Sequence, residues 1–187
     1  AGGGTNTYAY TKTIFNGAAG SATYTAPNYY IVPSSTSYTT EPTDPSSSTN
    51  GTGQYGYLYN WCAAMGAQLG TDACSGTDTT DATTTLSICP AGWRLPTGGP
   101  SGEFVALNNS LNGGSLSSDA GLLSGWLGQR AGSWNGTFAS QGSYGFYWSG
   151  TQYSASSAHR LYMSGGLVIP GSYIVKSYGF SVRCVVN

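Results

Sequence analysis

Cys89-Pro-Ala-Gly-Trp-Arg-Leu-Pro96 and Gly179-Phe-Ser-Val-Arg-Cys-Val185 are the two stretches that decide the fold. Each places a cysteine and an arginine among apolar residues, and the two stretches lie far apart in the chain. The simplest physical explanation is a disulfide between Cys89 and Cys184. That bond would fix the last strand of the domain to its centre, and closing so long a loop stabilises a fold by about 4 to 5 kcal/mol.

The chain contains four cysteines, and no two of them form a Cys-x-x-Cys pair. Zinc ribbons and thioredoxin-type redox sites are therefore poorly supported. An even number of cysteines fits two disulfides formed in an oxidising compartment, which predicts an extracellular or cell-surface protein. Four cysteines allow three connectivities. We favour Cys62 with Cys74 and Cys89 with Cys184.

Charged residues make up only 7% of the 187 residues, against about a quarter in ordinary globular domains. Solubility must rest on hydroxyl and amide groups, and weak charge repulsion permits close packing of subunits. The net charge is −1 and no basic run exists, which argues against nucleic-acid binding. No apolar run is long enough to cross a membrane, so we expect no membrane span in this chain.

Residues 1–53 differ in composition from the rest and are predicted to form a β-rich arm. Thr5–Phe15 and Ser21–Ile31 are rich in Thr, Tyr and Ile and predict two strands joined by an Asn16-Gly17 turn. Residues 34–53 are rich in Ser, Thr and Pro and predict a linker. An isolated two-stranded hairpin is marginally stable. The arm therefore needs a surface to pack on, in its own domain or in a neighbouring subunit.

Residues 54–187 are predicted to be one globular α+β domain, with helices first and strands after them. Ser101 is a candidate N-cap of a helix that carries Phe104, Leu107 and Leu111 at helical spacing. A second helix is predicted at Gly121–Arg130, with one face formed by Leu122, Leu123, Trp126 and Leu127. Strands are predicted at Gly145–Thr151, Ala158–Ser164, Leu167–Ile169 and Gly179–Val186.

Several strings in this domain occur together in one known family. They are Tyr55-Gly-Tyr-Leu-Tyr-Asn-Trp61, the stretch from Cys89 to Thr97, Glu103, Tyr147-Trp148-Ser149 and the stretch from Gly179 to Val185. In this order they resemble the Fibrobacter succinogenes major paralogous domain, over about residues 55–187. The resemblance implies a C-type-lectin-like fold, related to the formylglycine-generating domain, on secreted or pilin-like surface proteins. It implies no established general activity.

The resemblance also implies a ligand surface. Related folds serve diversified ligand-binding proteins, whose variable positions cluster just before a C-terminal string like the one here. By that analogy the candidate contacts are Tyr153, Ser156, His159, Arg160, Tyr162, Tyr173 and Ile174. Tyrosine and serine suit adaptable recognition of glycans or proteins.

The residues argue against an enzyme, a cofactor and a metal. The only histidine is His159, and its sequence context predicts a half-buried strand side chain rather than the base of a triad. Glu103 is expected to be a helix-terminal charge. Cysteine chemistry like that of the formylglycine-generating relatives does not transfer, because all four cysteines are expected to be structural. Trp134-Asn135-Gly136 lacks the final carboxylate of a calcium-dependent lectin site.

Arg94 and Arg183, inside the two decisive stretches, have two interpretations. They could recognise anions, or they could brace the fold by bonding backbone carbonyls, and we favour bracing. Sequons at Asn50, Asn108 and Asn135 are candidate glycosylation sites.

Two functions are compatible with these observations. The first is a non-enzymatic, self-assembling subunit of an extracellular filament or pilus-like appendage, whose arm inserts into a neighbouring copy, with an adhesive role in addition. The alternative is a secreted module that binds surface glycans or proteins.

Overall fold

The computed structural model describes residues 29–31, 57–65 and 87–186. These ranges contain mixed helix and sheet with mostly antiparallel strand pairs, which is compatible with the predicted α+β class. In chain order the elements are β1 Tyr29–Ile31, β2 Tyr57–Tyr59, α1 Trp61–Ala64, β3 Trp93–Arg94, α2 Glu103–Asn112, α3 Ala120–Gly125, β4 Ser133–Trp134, β5 Phe138–Ala139, β6 Tyr144–Gln152, β7 Ser157–Ser164, β8 Leu167–Val175 and β9 Val185–Val186.

The largest sheet is antiparallel, with the strand order β6-β7-β8. Strands β6 and β7 confirm two of the predicted strands to within one residue at each end. Strand β8 is longer than predicted, because the chain continues in the sheet beyond Pro170-Gly171. A register shift between Arg160 and Tyr162 accommodates that interruption.

The sheet is buried on both faces along β6. Phe146 and Trp148 point to a first core that contains Trp61, Leu95 and Phe180. Tyr147, between them, points to the opposite face, where a second core packs under α2 and α3 and contains Phe104, Leu122, Leu161, Met163 and Val168. This alternation follows from the period of two in a strand. The sheet therefore separates the two helices from the centre of the domain.

The decisive cysteines meet beside the first core. Cys89 and Cys184 form a disulfide with their Cα atoms 5.7 Å apart. Next to it β3 pairs antiparallel with β9 over two residue pairs. Cys62 is also disulfide-bonded, whereas Cys74, its favoured partner, lies outside the described residues. The pairing of Cys89 with Cys184 that the sequence favours is thus present in the structure.

The last predicted strand, Gly179–Val186, is wrong over most of its length, because only Val185–Val186 is a strand. Gly179, Phe180 and Ser181 instead make single bridges to Trp134, Tyr59 and Tyr147 in turn. This segment crosses three neighbours and does not follow one sheet edge.

The helix boundaries differ from those predicted. The N-cap of α2 is Gly102, not Ser101. The first backbone amide of the helix, Glu103 N, donates to Thr97 Oγ1 in the preceding loop at 2.9 Å. Helix α3 is shorter than Gly121–Arg130. Leu127 has a φ of 55° and is 69% exposed, so it does not share the buried face with Leu122.

Residues 29–31, the end of the predicted strand Ser21–Ile31, pair with their own chain, and residues 21–28 lie outside the described residues. Strand β1 pairs antiparallel with β2, with Tyr30 opposite Leu58. Leu58 is buried, and the adjoining helix α1 is capped by Asn60, whose Oδ1 accepts from Ala63 N at 2.9 Å. The predicted strand Thr5–Phe15, the Asn16-Gly17 turn and the linker at 34–53 lie outside the described residues. None of the helices in the described ranges has the length and apolar character needed to span a membrane.

Candidate functional site

The first of the two decisive arginines is held by a carboxylate. Arg94 Nη1 and Nη2 donate to Glu103 Oε2 and Oε1 at 2.6 and 2.8 Å, and Nη1 also donates to Leu95 O at 3.2 Å. Thr97 N donates to the same Glu103 carboxylate at 2.8 Å. The Arg94 hydrogen bonds hold the pKa of Glu103 at about 2, against 4.5 for a free glutamate. These bonds tie β3 to the start of α2.

This ion pair predicts a loss of stability in acid. Because the folded-state pKa of Glu103 is depressed, its contribution is complete above about pH 4.5 and disappears as the pH falls toward about 2. The carboxylate is partly exposed, so solvent screening limits the contribution to about 1 kcal/mol or less. We expect urea unfolding to show this additional loss between these pH values in the parent chain and not in Glu103→Gln. Equal acid sensitivity of both chains would contradict the assignment.

The second decisive arginine braces the end of α3. Arg183 Nη1 donates to Leu127 O at 3.1 Å, and its guanidinium carbon lies 4.8 Å from the centroid of the Trp126 ring. Both arginines thus make the backbone hydrogen bond that is expected of a bracing residue. These contacts favour bracing over anion recognition for both arginines.

One of the three sequons is corrected by the structure. Asn108 is 1% exposed, donates from Nδ2 to Ser115 O at 3.2 Å and accepts from Asn112 Nδ2 at 3.0 Å. A glycan on this nitrogen would need the end of α2 to unfold. Asn135 is exposed, and Asn50 lies outside the described residues.

The seven candidate ligand contacts do not form a single surface. His159 and Arg160 are neighbours on β7 and therefore point to opposite faces of the sheet. Tyr153, His159 and Tyr173 come together on one face, while Ser156 lies exposed in the turn between β6 and β7. Arg160, Tyr162 and Ile174 pack on the other face against the first core. The continuous surface inferred from the resemblance is wrong in this respect.

Tyr153, His159 and Tyr173 form what we call the tyrosine–histidine cluster. The two tyrosine rings stack with centroids 3.6 Å apart and planes 8° apart, and each ring is about half exposed. His159 meets both rings edge-on, at 5.3 and 6.1 Å. Hydrogen bonding to the Tyr173 hydroxyl raises the pKa of Tyr153. The outer ring faces provide a flat apolar surface rimmed by hydroxyl groups.

The imidazole of the cluster has one nitrogen engaged. His159 Nδ1 lies 3.3 Å from Gly171 O, a carbonyl that can only accept, so Nδ1 carries the proton. The ring packs against the loop at Gly98 and Gly99, where a Cβ on Gly98 would clash with His159 Cβ and with Ser149. The absence of a side chain at Gly98 is therefore what lets this loop approach the sheet.

On the opposite face, Arg160 lies over aromatic rings. Its guanidinium carbon is 4.8 Å from the centroid of Phe146, 5.0 Å from that of Phe180 and 5.8 Å from that of Tyr162. Its Nε donates to Ser172 Oγ at 3.3 Å. We call this group, Arg160 with the three rings, the Arg160 cradle.

Lys176 is a buried cation that the sequence analysis did not single out. It is 0% exposed, donates from Nζ to Gln152 Oε1 at 2.9 Å and to Ala155 O at 3.0 Å, and lies 4.5 Å from the Trp61 ring centroid. These contacts fix the turn between β6 and β7 to the first core. The sequence did contain a signal for this buried cation, because a single lysine directly follows the apolar strand β8 in a chain with very few charges.

An apolar pocket of about 300 Å³ lies between α2 and β9. It is separate from the tyrosine–histidine cluster and from the Arg160 cradle. Phe104, Leu107, Trp126 and Val185 line it. It brings none of the predicted ligand contacts together.

The described residues offer few groups for acid–base chemistry or for binding a metal. Their two carboxylates, Glu103 and Asp119, are both ion-paired, with Arg94 at 2.6 Å and with Arg130 at 2.7 Å. Within the same ranges no three His, Cys, Asp or Glu side chains lie close enough to hold a metal ion. What this part of the chain presents is aromatic and hydroxyl surface, which suits binding and packing.

Comparison with known proteins adds no family. The chain matches no protein-family model, no curated protein and no solved structure.

Proposed function

We propose that this chain is a self-assembling, non-enzymatic subunit of an extracellular filament or pilus-like appendage, built on a C-type-lectin-like domain. The observation that carries the proposal is the edge strand β8. Four large apolar side chains on it are 40 to 50% exposed, namely Leu167, Ile169, Tyr173 and Val175. Soluble proteins protect such edges with charged residues, and β8 contains no charged residue.

The edge of β8 is only partly occupied within the described residues. Val168 N donates to Leu116 O at 2.9 Å, and Pro170 has no backbone donor. We assign the incoming strand to residues 172–175, because Gly171 lies against the backbone of Gly99. Strand addition at such an edge combines main-chain hydrogen bonds with packing of alternate side chains.

The strand that we assign to this edge is the one predicted at Thr5–Phe15, supplied by a second copy. As a strand it would place Tyr8, Tyr10, Lys12 and Ile14 on one face. The three apolar side chains of that face can pack beside Tyr173 and Val175, which share one face of β8. The pairing of β1 with β2 anchors the middle of the arm on its own domain and leaves residues 1–28 for the neighbouring copy. The 28 residues before β1 span up to about 90 Å when extended, which exceeds the roughly 35 Å width of such a domain.

The low charge of the chain supports the same proposal. With a net charge of −1, copies of the chain repel one another weakly, so contact between many subunits carries little electrostatic cost. A head-to-tail contact that does not close on itself produces an open filament.

Sedimentation velocity tests the proposal with matched variants. We expect the full chain to form large species, and we expect a chain lacking residues 1–28, which keeps β1, to sediment as a monomer. Tyr173→Lys with Val175→Lys should reduce assembly by about tenfold or more, because the contact would bury two charges. Leu127→Lys places a charge on an exposed leucine away from β8 and should assemble like the parent.

Unchanged assembly after deletion of residues 1–28 would contradict the proposal, and so would equal assembly of the β8 variant and the Leu127→Lys control. The alternative function, a secreted ligand-binding module, stays a prediction. A monomeric full chain in this experiment would favour it.

A further inference from the structure

Arg160 is a half-buried cation without a carboxylate partner in the described part of the chain. The two carboxylates of that part are bonded to Arg94 and Arg130. Burial lowers the pKa of Arg160 to about 10, against the opposing effect of the Tyr162 and Tyr178 hydroxyls. The side chain is therefore still charged at neutral pH, although it has lost much of its hydration.

The nitrogens of the Arg160 guanidinium differ in their hydrogen bonding. Its Nε donates to Ser172, and its guanidinium carbon lies 4.8 and 5.0 Å from the ring centroids of Phe146 and Phe180. Its two terminal nitrogens have no acceptor among the described residues. A guanidinium presents these nitrogens in a planar fork that matches the two oxygens of a carboxylate. The Nε bond and the neighbouring rings thus position the guanidinium, while both terminal nitrogens are without an acceptor in the described ranges.

The surface next to the fork is aromatic. Tyr144 stacks on Tyr162 with ring centroids 5.7 Å apart and is 36% exposed. Ile169 faces Tyr162 across the strand pair and is also exposed. Ring faces with neighbouring hydroxyl groups accommodate the apolar side of a sugar ring and bond its hydroxyls.

We propose that the Arg160 cradle is a binding site for an acidic sugar, whose carboxylate accepts from both terminal nitrogens of Arg160 and whose ring lies against Tyr162 and Tyr144. The proposal goes beyond assembly and does not depend on it. It would give each subunit a means of adhering to acidic polysaccharide. It also assigns to Arg160 a role distinct from the bracing role of Arg94 and Arg183.

The test follows the arginine Nε–H signals by NMR, in solution or with magic-angle spinning, in the full chain labelled with ¹⁵N-arginine. The chain has four arginines, Arg94, Arg130, Arg160 and Arg183, so each signal can be assigned by substitution. We expect sodium glucuronate to shift the Arg160 signal with a Kd in the roughly millimolar range. The carboxylate-paired Arg94 and Arg130 should shift little. Glucose, which lacks the carboxylate, should leave Arg160 unshifted, and acetate should bind more weakly than glucuronate.

Substitutions separate binding from folding. Arg160→Gln should abolish glucuronate binding, and Arg160→Lys should weaken it by about tenfold, because a lysine cannot form the paired bonds. Arg183→Gln removes an arginine that also stacks on a ring and should bind like the parent. Near-ultraviolet circular dichroism reports whether each variant keeps its aromatic packing.

Four results would overturn the proposal, three of them against the site and one against its assignment to a sugar. The first is no shift of the Arg160 signal with glucuronate in the parent chain, and the second is an equal shift with glucose. The third is unchanged glucuronate binding by a folded Arg160→Lys or Arg160→Gln variant. Binding of acetate as tight as that of glucuronate would overturn the assignment to a sugar.

Discussion

Removing the Cys89–Cys184 disulfide by the double substitution Cys89→Ala and Cys184→Ala is expected to lower the free energy of unfolding by about 4 to 5 kcal/mol. The bond joins residues 95 positions apart, and the entropy that it removes from the unfolded chain grows with loop length. Next to the bond, β9 pairs with β3 over two residues only.

Paired substitutions are preferable to a reducing agent in this measurement. Cys62 is also disulfide-bonded, and a reductant would break that bond as well. Urea unfolding of the oxidised parent and of the double variant gives the difference directly. A loss below about 1 kcal/mol would show that the contacts of residues 179–186 hold the segment without the disulfide.

Trp148→Ala is expected to cost about 3 to 5 kcal/mol of unfolding free energy. Trp148 is 0% exposed, and its Nε1 donates to Tyr59 O at 2.7 Å. Its ring lies 4.6 Å from that of Phe180. The substitution would open a cavity in the first core and would remove the bond that joins β6 to β2.

Trp93→Ala provides the matched control, because Trp93 is 46% exposed at the surface end of β3. We expect it to change the unfolding free energy by about 0.5 kcal/mol or less. Urea unfolding monitored by circular dichroism compares the two variants. Equal losses would contradict the placement of Trp148 at the centre of the core.

The sequence predicted the features that depend on local pattern. Strand β6 follows from its run of aromatic residues, and the helix α2 follows from the spacing of Phe104 and Leu107. The cysteine pairing followed from two similar stretches at a distance. In each case the local preference and the tertiary contact agree, so the pattern was sufficient.

The features that could not be predicted from the sequence depend on contacts outside the local pattern. The start of α2 is bonded by Thr97 from the preceding loop, which no spacing rule for N-caps includes. Strand β8 continues through Pro170-Gly171 because a register shift absorbs the interruption. The segment that begins at Gly179 has the composition of a strand, but its first three residues each form a bridge to a different neighbour.

The seven candidate ligand contacts lie on two faces of the sheet, and the sequence itself contains the reason. His159 and Arg160 are adjacent on a predicted strand, and adjacent strand residues point to opposite faces. The analogy with diversified proteins placed both on one surface, and the strand period should have separated them. The stacking of Tyr153 on Tyr173 could not be foreseen, because it depends on the path of the turn after β6.

The central claim is that copies of this chain assemble through the arm and the edge strand β8. Electron micrographs of the purified full chain, beside the chain lacking residues 1–28, test it most directly. We expect filaments from the full chain and isolated particles from the shortened one. Isolated particles from both chains, or filaments from both, would contradict the claim.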